Sequence, residues 1–304
     1  VLFSDLLITE RLPINGVELA AGREAALTAR VQQLKTQGKF PTIAAILFTE
    51  DAGSVLYTRL KQEAAERMGI VYQLHRFSLQ TPLVDVLTQI QMLNQDPSIT
   101  GIIIQKPYRT TQAKADYQAW WQALIMAIDP KKDVDGLTPN TLAAVRNNTW
   151  RAAHAVLPAT CRAVLVLLSY YTRLFEVAPE LRSGLKVAVI GRSELLGLPL
   201  AAELTNQKFS VTLLGKAETA ALVEQQKFLH DYDLVITAAG QPGFLKGAWL
   251  KPQSMVVDVG EPRGDVEFVS AVQVAAVVTP VPGGVGPLTV SCLMENSLDL
   301  LEIQ

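Results

Sequence analysis

The chain has 304 residues, 49% of them hydrophobic and 18% charged, with a net charge of −2. That length exceeds what one hydrophobic core usually spans, so two domains are expected. The near-neutral balance supplies no basic surface for nucleic acid or for an anionic membrane.

In chain order, Ala21, Ala25, Leu27, Val31 and Leu34 predict a helix from Val17 to Gln37 that stops at Gly38. TIAAILF (42–48) reads as a buried strand. A helix follows from about Ser54 to Gly69, with Leu56, Leu60, Ala64 and Met68 as its core stripe. Tyr57 and Lys61, four apart, share another face. Lysine serves catalysis when its charge is aimed or its pKa lowered; taken alone, a solvated lysine on an ordinary helix is the simpler reading. IVYQLHRF (70–77) reads as a strand, residues 82–94 as a helix carrying Val84, Leu87, Ile90 and Leu93, and ITGIIIQ (99–105) as a buried parallel strand.

This β-α-β-α-β rhythm makes an open α/β sheet, in which ligands bind beyond the carboxyl ends of the strands. Gln105 and the Tyr57/Lys61 helix then share one rim. DPKKDVDGLTPN (129–140) places Asp133 and Asp135 two apart in a dense turn. The pair suits a divalent cation, but without further ligands an ordinary polar turn is the safer reading, and one carboxylate holding a substrate's N–H groups is a third. His75, His154 and His230 are scattered, so no metal site is assigned. Cys161 and Cys292 also lie far apart, which points to a reducing compartment, expected to be the cytoplasm. The chain begins at Val1, which leaves an import segment ahead of it open.

Residues 158–174 read as a helix linking two domains. KVAVIG, RSELLG and SVTLLG, within 184–216, then give the strand–turn–helix–strand context of a nucleotide site, with Gly191, Ser193 and Gly197 in its turn. Arg192 in that turn and Lys216 after the next strand favour a 2′-phosphate, hence NADP, while Glu218 keeps NAD in view. Further strands are expected within 232–240, 254–260 and 275–284, with Gly240, Gly260 and Gly283 at their ends and Asp258 hydrogen-bonded near a strand tip. The apolar stretch 269–290 holds too many prolines and glycines for a membrane span. A last helix should start at Pro287, run to about Ile303 and return to the first domain.

SVLYTRLK (54–61), GIIIQKP (101–107), KKDVDG (131–136), VIGRSELLGLP (189–199), AAGQPGFLKGAWLKPQSMVVDVG (238–260) and TPVPGGVGPLTV (279–290) stand in the order of one known family. Through these motifs the chain resembles the bifunctional methylenetetrahydrofolate dehydrogenase/cyclohydrolases over nearly its whole length. The resemblance implies an α/β fold of two domains. A folate-binding catalytic domain would span 1–157, completed by 288–304, and a Rossmann-type NADP-binding domain 158–287. It implies Lys61 as the catalytic lysine, Tyr57 stacked beside it over the folate, Gln105 assisting Lys61, Asp135 holding the pterin, and Ser54 supporting the site. Arg192 and Ser193 would hold NADP in the turn of Gly191 and Gly197, near Lys216 and Gly240. Gly283, Gly284, Val285, Gly286 and Pro287 would line the place where nicotinamide meets folate. A homodimer through the Rossmann domain is implied as well.

The chain departs from the family pattern at Lys106, Tyr108 and Arg109 after Gln105, at Thr141 and Ala143, at Ala159–Ala163, at Thr49, and at Gly215 and Lys216. These positions keep a second reading open: a divergent relative that binds NADP but has lost one or both folate activities, or acts on another substrate. Lys106 and Arg109 would suit a polyglutamate tail, though exposed loop cations are more often simply solvated.

Overall fold

The computed structural model describes residues 3–107, 116–224 and 229–303; Tyr108 and Arg109 lie outside them. Contacts divide the chain into two compact units, Ala21–Ala159 with Val290–Gln304, and Val1–Ala20 with Thr160–Thr289.

The former unit takes most of α1 (Gly16–Thr36), then β1 (Thr42–Phe48), α2 (Ala52–Met68), β2 (Val71–Phe77), α3 (Leu83–Gln95), β3 (Gly101–Ile104), α4 (Tyr117–Met126) and α5 (Pro139–Arg146). Its sheet has the order β2-β1-β3, all parallel, with Thr42 opposite Val71 and Ile43 opposite Gly101. Every residue of β1 is buried, which is why it reads as an unbroken apolar run. Chain order reverses about β1, so the binding crevice belongs at its carboxyl end, where α2 begins and β3 stops.

Burial corrects several helix faces. On α2 the buried residues are Ser54, Thr58, Lys61, Ala64, Ala65 and Met68, whereas Leu56 and Leu60 are 44% and 40% exposed. Both sets have helical spacing, and the side that packs on β1 and β2 carries polar groups in its first half. On α1 the buried stripe is Ala20, Leu27, Val31 and Leu34, with Ala21 and Ala25 outside it; on α3, Val84 is exposed and Val86 takes its place. Helices α4 and α5 are additions to the sequence reading. In α4, Trp120 and Trp121 are buried, and the Trp120 ring lies 4.9 Å from that of Phe48.

The latter unit holds most of α6 (Ala159–Tyr171), then α7 (Pro179–Gly184), β4 (Lys186–Ile190), α8 (Gly197–Asn206), β5 (Ser210–Leu214), α9 (Lys216–Glu224), β6 (Leu234–Thr237), β7 (Met255–Asp258), α10 (Phe268–Ala271) and β8 (Val277–Val278). Its five parallel strands run β5-β4-β6-β7-β8, a 2-1-3-4-5 order typical of doubly wound nucleotide-binding sheets. Ala188, Ile190, Val235 and Val256 centre its core. The strand expected within 275–284 shrinks to Val277–Val278, because residues 280–284 turn away into the last helix. Residues 3–20, read from sequence as part of the first domain, group with this unit: Leu7 bridges Thr172, and the Tyr171 hydroxyl accepts from the Asn15 N–H at 2.8 Å.

The last helix, α11 (Val285–Ile303), starts two residues before Pro287. Its C-terminal part returns to the first unit, where Leu293, Met294, Leu298 and Leu301 join Leu27, Val31, Ile43, Met68 and Ile103 in one core. Among the described residues no helix is long and apolar enough to cross a membrane.

Candidate active site

The α2 helix is capped by Asp51, whose Oδ1 accepts from the Ser54 N–H at 2.8 Å, and it ends at Gly69 with φ of 77°. It therefore begins before Ser54. The Ser54 hydroxyl donates to the Lys106 carbonyl at 3.2 Å, tying α2 to the segment after β3. That segment is the other wall of the crevice: the Gln105 N–H donates to the Ile46 carbonyl at 2.9 Å, carrying the β1–β3 ladder one residue past the strand.

Lys61 is 9% exposed, and its Nζ donates to Gln105 Oε1 at 2.8 Å. A neutral amide acceptor holds the ammonium in place without cancelling its charge. Tyr57, half-buried, stands one helical turn before Lys61. Asp135 is half-buried, and its carboxyl pKa lies above the usual Asp value. Burial raises it, the Lys61 charge draws it back, and Asp133 pushes it up. Lys61, Gln105 and Asp135 thus belong to one electrostatic site.

Asp133 has a different job. Fully buried, it accepts from the Leu137 and Thr138 N–H groups at 3.1 and 2.8 Å and so shapes the turn around Asp135. Burial raises its pKa against those hydrogen bonds. Its oxygens are engaged by backbone, which removes the reading of Asp133 and Asp135 as paired cation ligands.

Sequence reasoning missed three residues here. Lys132 is buried, with its Nζ donating to the carbonyls of Leu93, Asn94 and Asp96 at 3.0, 2.8 and 2.7 Å. Asn296, buried on α11, donates from Nδ2 to the Val134 and Leu157 carbonyls, both at 2.9 Å. Tyr72 on β2 has its phenol pKa raised by burial and by the Asp135 charge, which puts it in the same site. A lone Asn within an apolar helix was the one signal available in sequence. Lys106 is not simply solvated: its Nζ lies 4.9 Å from the centroid of the Trp121 ring.

In the other unit, Gly191 follows β4 with φ of 116°, and a Cβ at Gly197 would fall 1.7 Å from the Gly191 carbonyl oxygen. The turn closes so tightly that only glycine serves at both places. Ser193 braces the turn that leads into α8, its Oγ accepting from the Leu196 N–H at 3.3 Å and its carbonyl from the Leu198 N–H at 3.0 Å. A tight glycine turn ahead of a helix N-terminus is the kind of backbone that can accommodate a phosphate. The Arg192 guanidinium lies 2.7 Å from Glu218 Oε1, so the acid that kept NAD in view is paired with one of the two cations; Lys216 is exposed in the first turn of α9. Gly240 follows β6 with φ of 63°, in a loop organised by buried Asp265, which accepts from Thr237 Oγ1 and from the Ala239 and Gln241 N–H groups at 2.6 to 2.9 Å. Asp258, at the tip of β7, accepts from the N–H groups of Gly260, Asp265 and Val266, as its expected place near a strand end required. Gly283 and Gly284 form the turn before α11, with the Gly283 carbonyl accepting from the Gly16 N–H at 2.9 Å. Gly286 and Pro287 stand in the first turn of α11 and group with this unit rather than with Lys61.

Family models for the tetrahydrofolate dehydrogenase/cyclohydrolase catalytic domain and NAD(P)-binding domain match residues 14–135 and 158–304. Similar curated relatives include the bifunctional protein FolD of Lactobacillus helveticus, 37% identical over 91% of this chain and 93% of that one. The FolD of Dichelobacter nodosus is 36% identical over 94% and 95%. Similar solved structures include the FolD dehydrogenase/cyclohydrolase of Campylobacter jejuni, with TM-score 0.82, 28% identity and coverage of 95% and 98%. Another is the Trypanosoma brucei enzyme complexed with NADP cofactor and inhibitor, with TM-score 0.83, 30% identity and coverage of 96% and 97%. With both domain models matched and curated relatives aligned along most of its length, the chain belongs to the tetrahydrofolate dehydrogenase/cyclohydrolase family.

Proposed function

We propose that this protein oxidises methylenetetrahydrofolate with NADP and hydrolyses the resulting methenyltetrahydrofolate to formyltetrahydrofolate, working as a homodimer. The observation that carries the reading is the buried Lys61 ammonium held by Gln105 and sensed by Asp135. The glycine turn at Gly191 and Gly197, with Arg192 and Ser193, fits a dinucleotide. Gly240, Lys216, Gly283 and Gly284 are proposed to contact it too. When bound, NADP supplies the hydride acceptor.

The chain's own residues position and transfer protons. Ionised Asp135 accepts from the paired N–H donors of the pterin edge, and Tyr57 stacks on the folate one turn from Lys61. Gly286 and Pro287 line the substrate, and Ser54 keeps α2 registered on the Lys106 carbonyl. A cationic methenyl group disfavours the charged form of Lys61, so the lysine can take a proton from the attacking water. That water's oxygen bonds to the amidinium carbon while one of its protons passes to Lys61. One ring C–N bond then breaks, Lys61 returns that proton to the departing nitrogen, and the second water proton is released to solvent as the formyl C=O forms.

The test follows NADPH and the methenyl chromophore in wild type and Lys61→Met. Wild type should perform both steps, and the variant should lose at least about 100-fold in hydrolysis. A wild-type protein that binds NADP yet shows neither activity would replace this reading with that of a divergent relative.

A further inference from the structure

We propose that Glu218 sets the cofactor preference of this chain, holding Arg192 so that the protein uses NAD as well as NADP. The inference rests on the reading of Arg192 as the residue that meets a 2′-phosphate.

In nucleotide-binding sheets of this order, the segment after the second strand carries either a carboxylate for the ribose 2′-hydroxyl or a cation for the 2′-phosphate. Here both are present and in contact. Arg192 Nη2 lies 2.7 Å from Glu218 Oε1, and the other carboxylate oxygen, Oε2, accepts from the Gly215 N–H at 3.1 Å. Gly215 and Glu218 are three apart at the start of α9, so the carboxylate is fixed as the return half of a helix cap. It also sits where the helix dipole favours negative charge. It is therefore no free rotor that swings aside without loss.

Gly215 makes the arrangement possible. A Cβ there would fall 2.6 Å from Glu218 Oε2 and 3.2 Å from Arg192 Cδ, so any other residue would push the pair apart. The pair is about half exposed, at 52% for Arg192 and 42% for Glu218, which makes it weak. A dianionic 2′-phosphate can take Arg192 from Glu218, with Lys216 as a second cation, but it must compete with a fixed carboxylate. NAD brings no such charge, and its 2′-hydroxyl meets an acceptor.

The experiment uses the full chain with NADP, NAD, 2′,5′-ADP and 5′-AMP, taking dissociation constants by calorimetry and kcat/KM for the two dinucleotides. Variants are Glu218→Gln, Arg192→Ala and the double. Glutamine retains the capping acceptor, and an unchanged Tm confirms that it does. Wild type should use both dinucleotides. Glu218→Gln should raise the preference for NADP over NAD, and for 2′,5′-ADP over 5′-AMP, about tenfold. In the Arg192→Ala background that shift should shrink to about twofold or less, since Glu218 acts through Arg192. An unchanged preference in Glu218→Gln, or wild type that does not bind NAD, overturns the proposal. Failure of all four nucleotides to bind would instead remove the cofactor reading on which it rests.

Discussion

At the scale of single residues, the site combines a buried lysine with a half-buried carboxyl group, and the carboxyl has a cost. Burial raises the Asp135 carboxyl above its ordinary value, so the folded chain takes up that proton more readily than the unfolded one. The resulting stability is fully present below the ordinary value of 3.8 and is lost as pH rises through the raised native value. Asp135→Asn removes this dependence. Its Tm relative to wild type should therefore climb as pH rises from the ordinary carboxyl value of 3.8 through the raised one. Its KM for the folate should rise at least about tenfold, because an amide replaces one acceptor with a donor. Wild-type KM should itself rise as pH falls through the raised value, and that of the variant should not. A Tm difference that stays flat with pH would mean that the Lys61 charge fully offsets the burial of Asp135.

At the scale of elements, the turn that carries Asp135 is held by long-range hydrogen bonds. Lys132 spans from it to the end of α3 and the turn after it through the carbonyls of Leu93, Asn94 and Asp96. Burial lowers the pKa of this lysine, while Asp129 and Asp96 oppose the shift. The three carbonyls are its compensation, and Lys132→Met leaves them without it. We expect a loss of about 2–3 kcal/mol in urea denaturation, together with a higher folate KM and unchanged NADP affinity. Lost stability with an unaltered KM would show that Asp133 and Asn296 hold the turn by themselves.

At the scale of the whole molecule, the residues assigned to the cofactor and those around Lys61 belong to different compact units. NADP at a hundredfold excess over its Kd should stabilise the native protein by about 2.7 kcal/mol. Lys61→Met should receive the same increment in a thermal melt, since it alters only the folate side. A smaller shift in the variant would show that the two ligand sites are energetically coupled through Lys61.

What the sequence determined by itself was the succession of strands and helices, the family motifs, and the residue types gathered at the strand ends. Those features are local: TIAAILF is apolar because both faces of β1 are covered, and Gly191 and Gly197 are glycine because the turn leaves no room for a Cβ. The tertiary structure decided which helix face is buried and what each polar group meets. Leu56 and Leu60 look outward while Ser54, Thr58 and Lys61 look inward, Lys106 lies over Trp121, and Glu218 closes on Arg192. Asn296 reaches segments about 140 and 160 residues away in the chain to hold the Asp135 turn. A buried polar side chain is stable only where a partner from elsewhere satisfies it, and no local period in a sequence records where that partner stands.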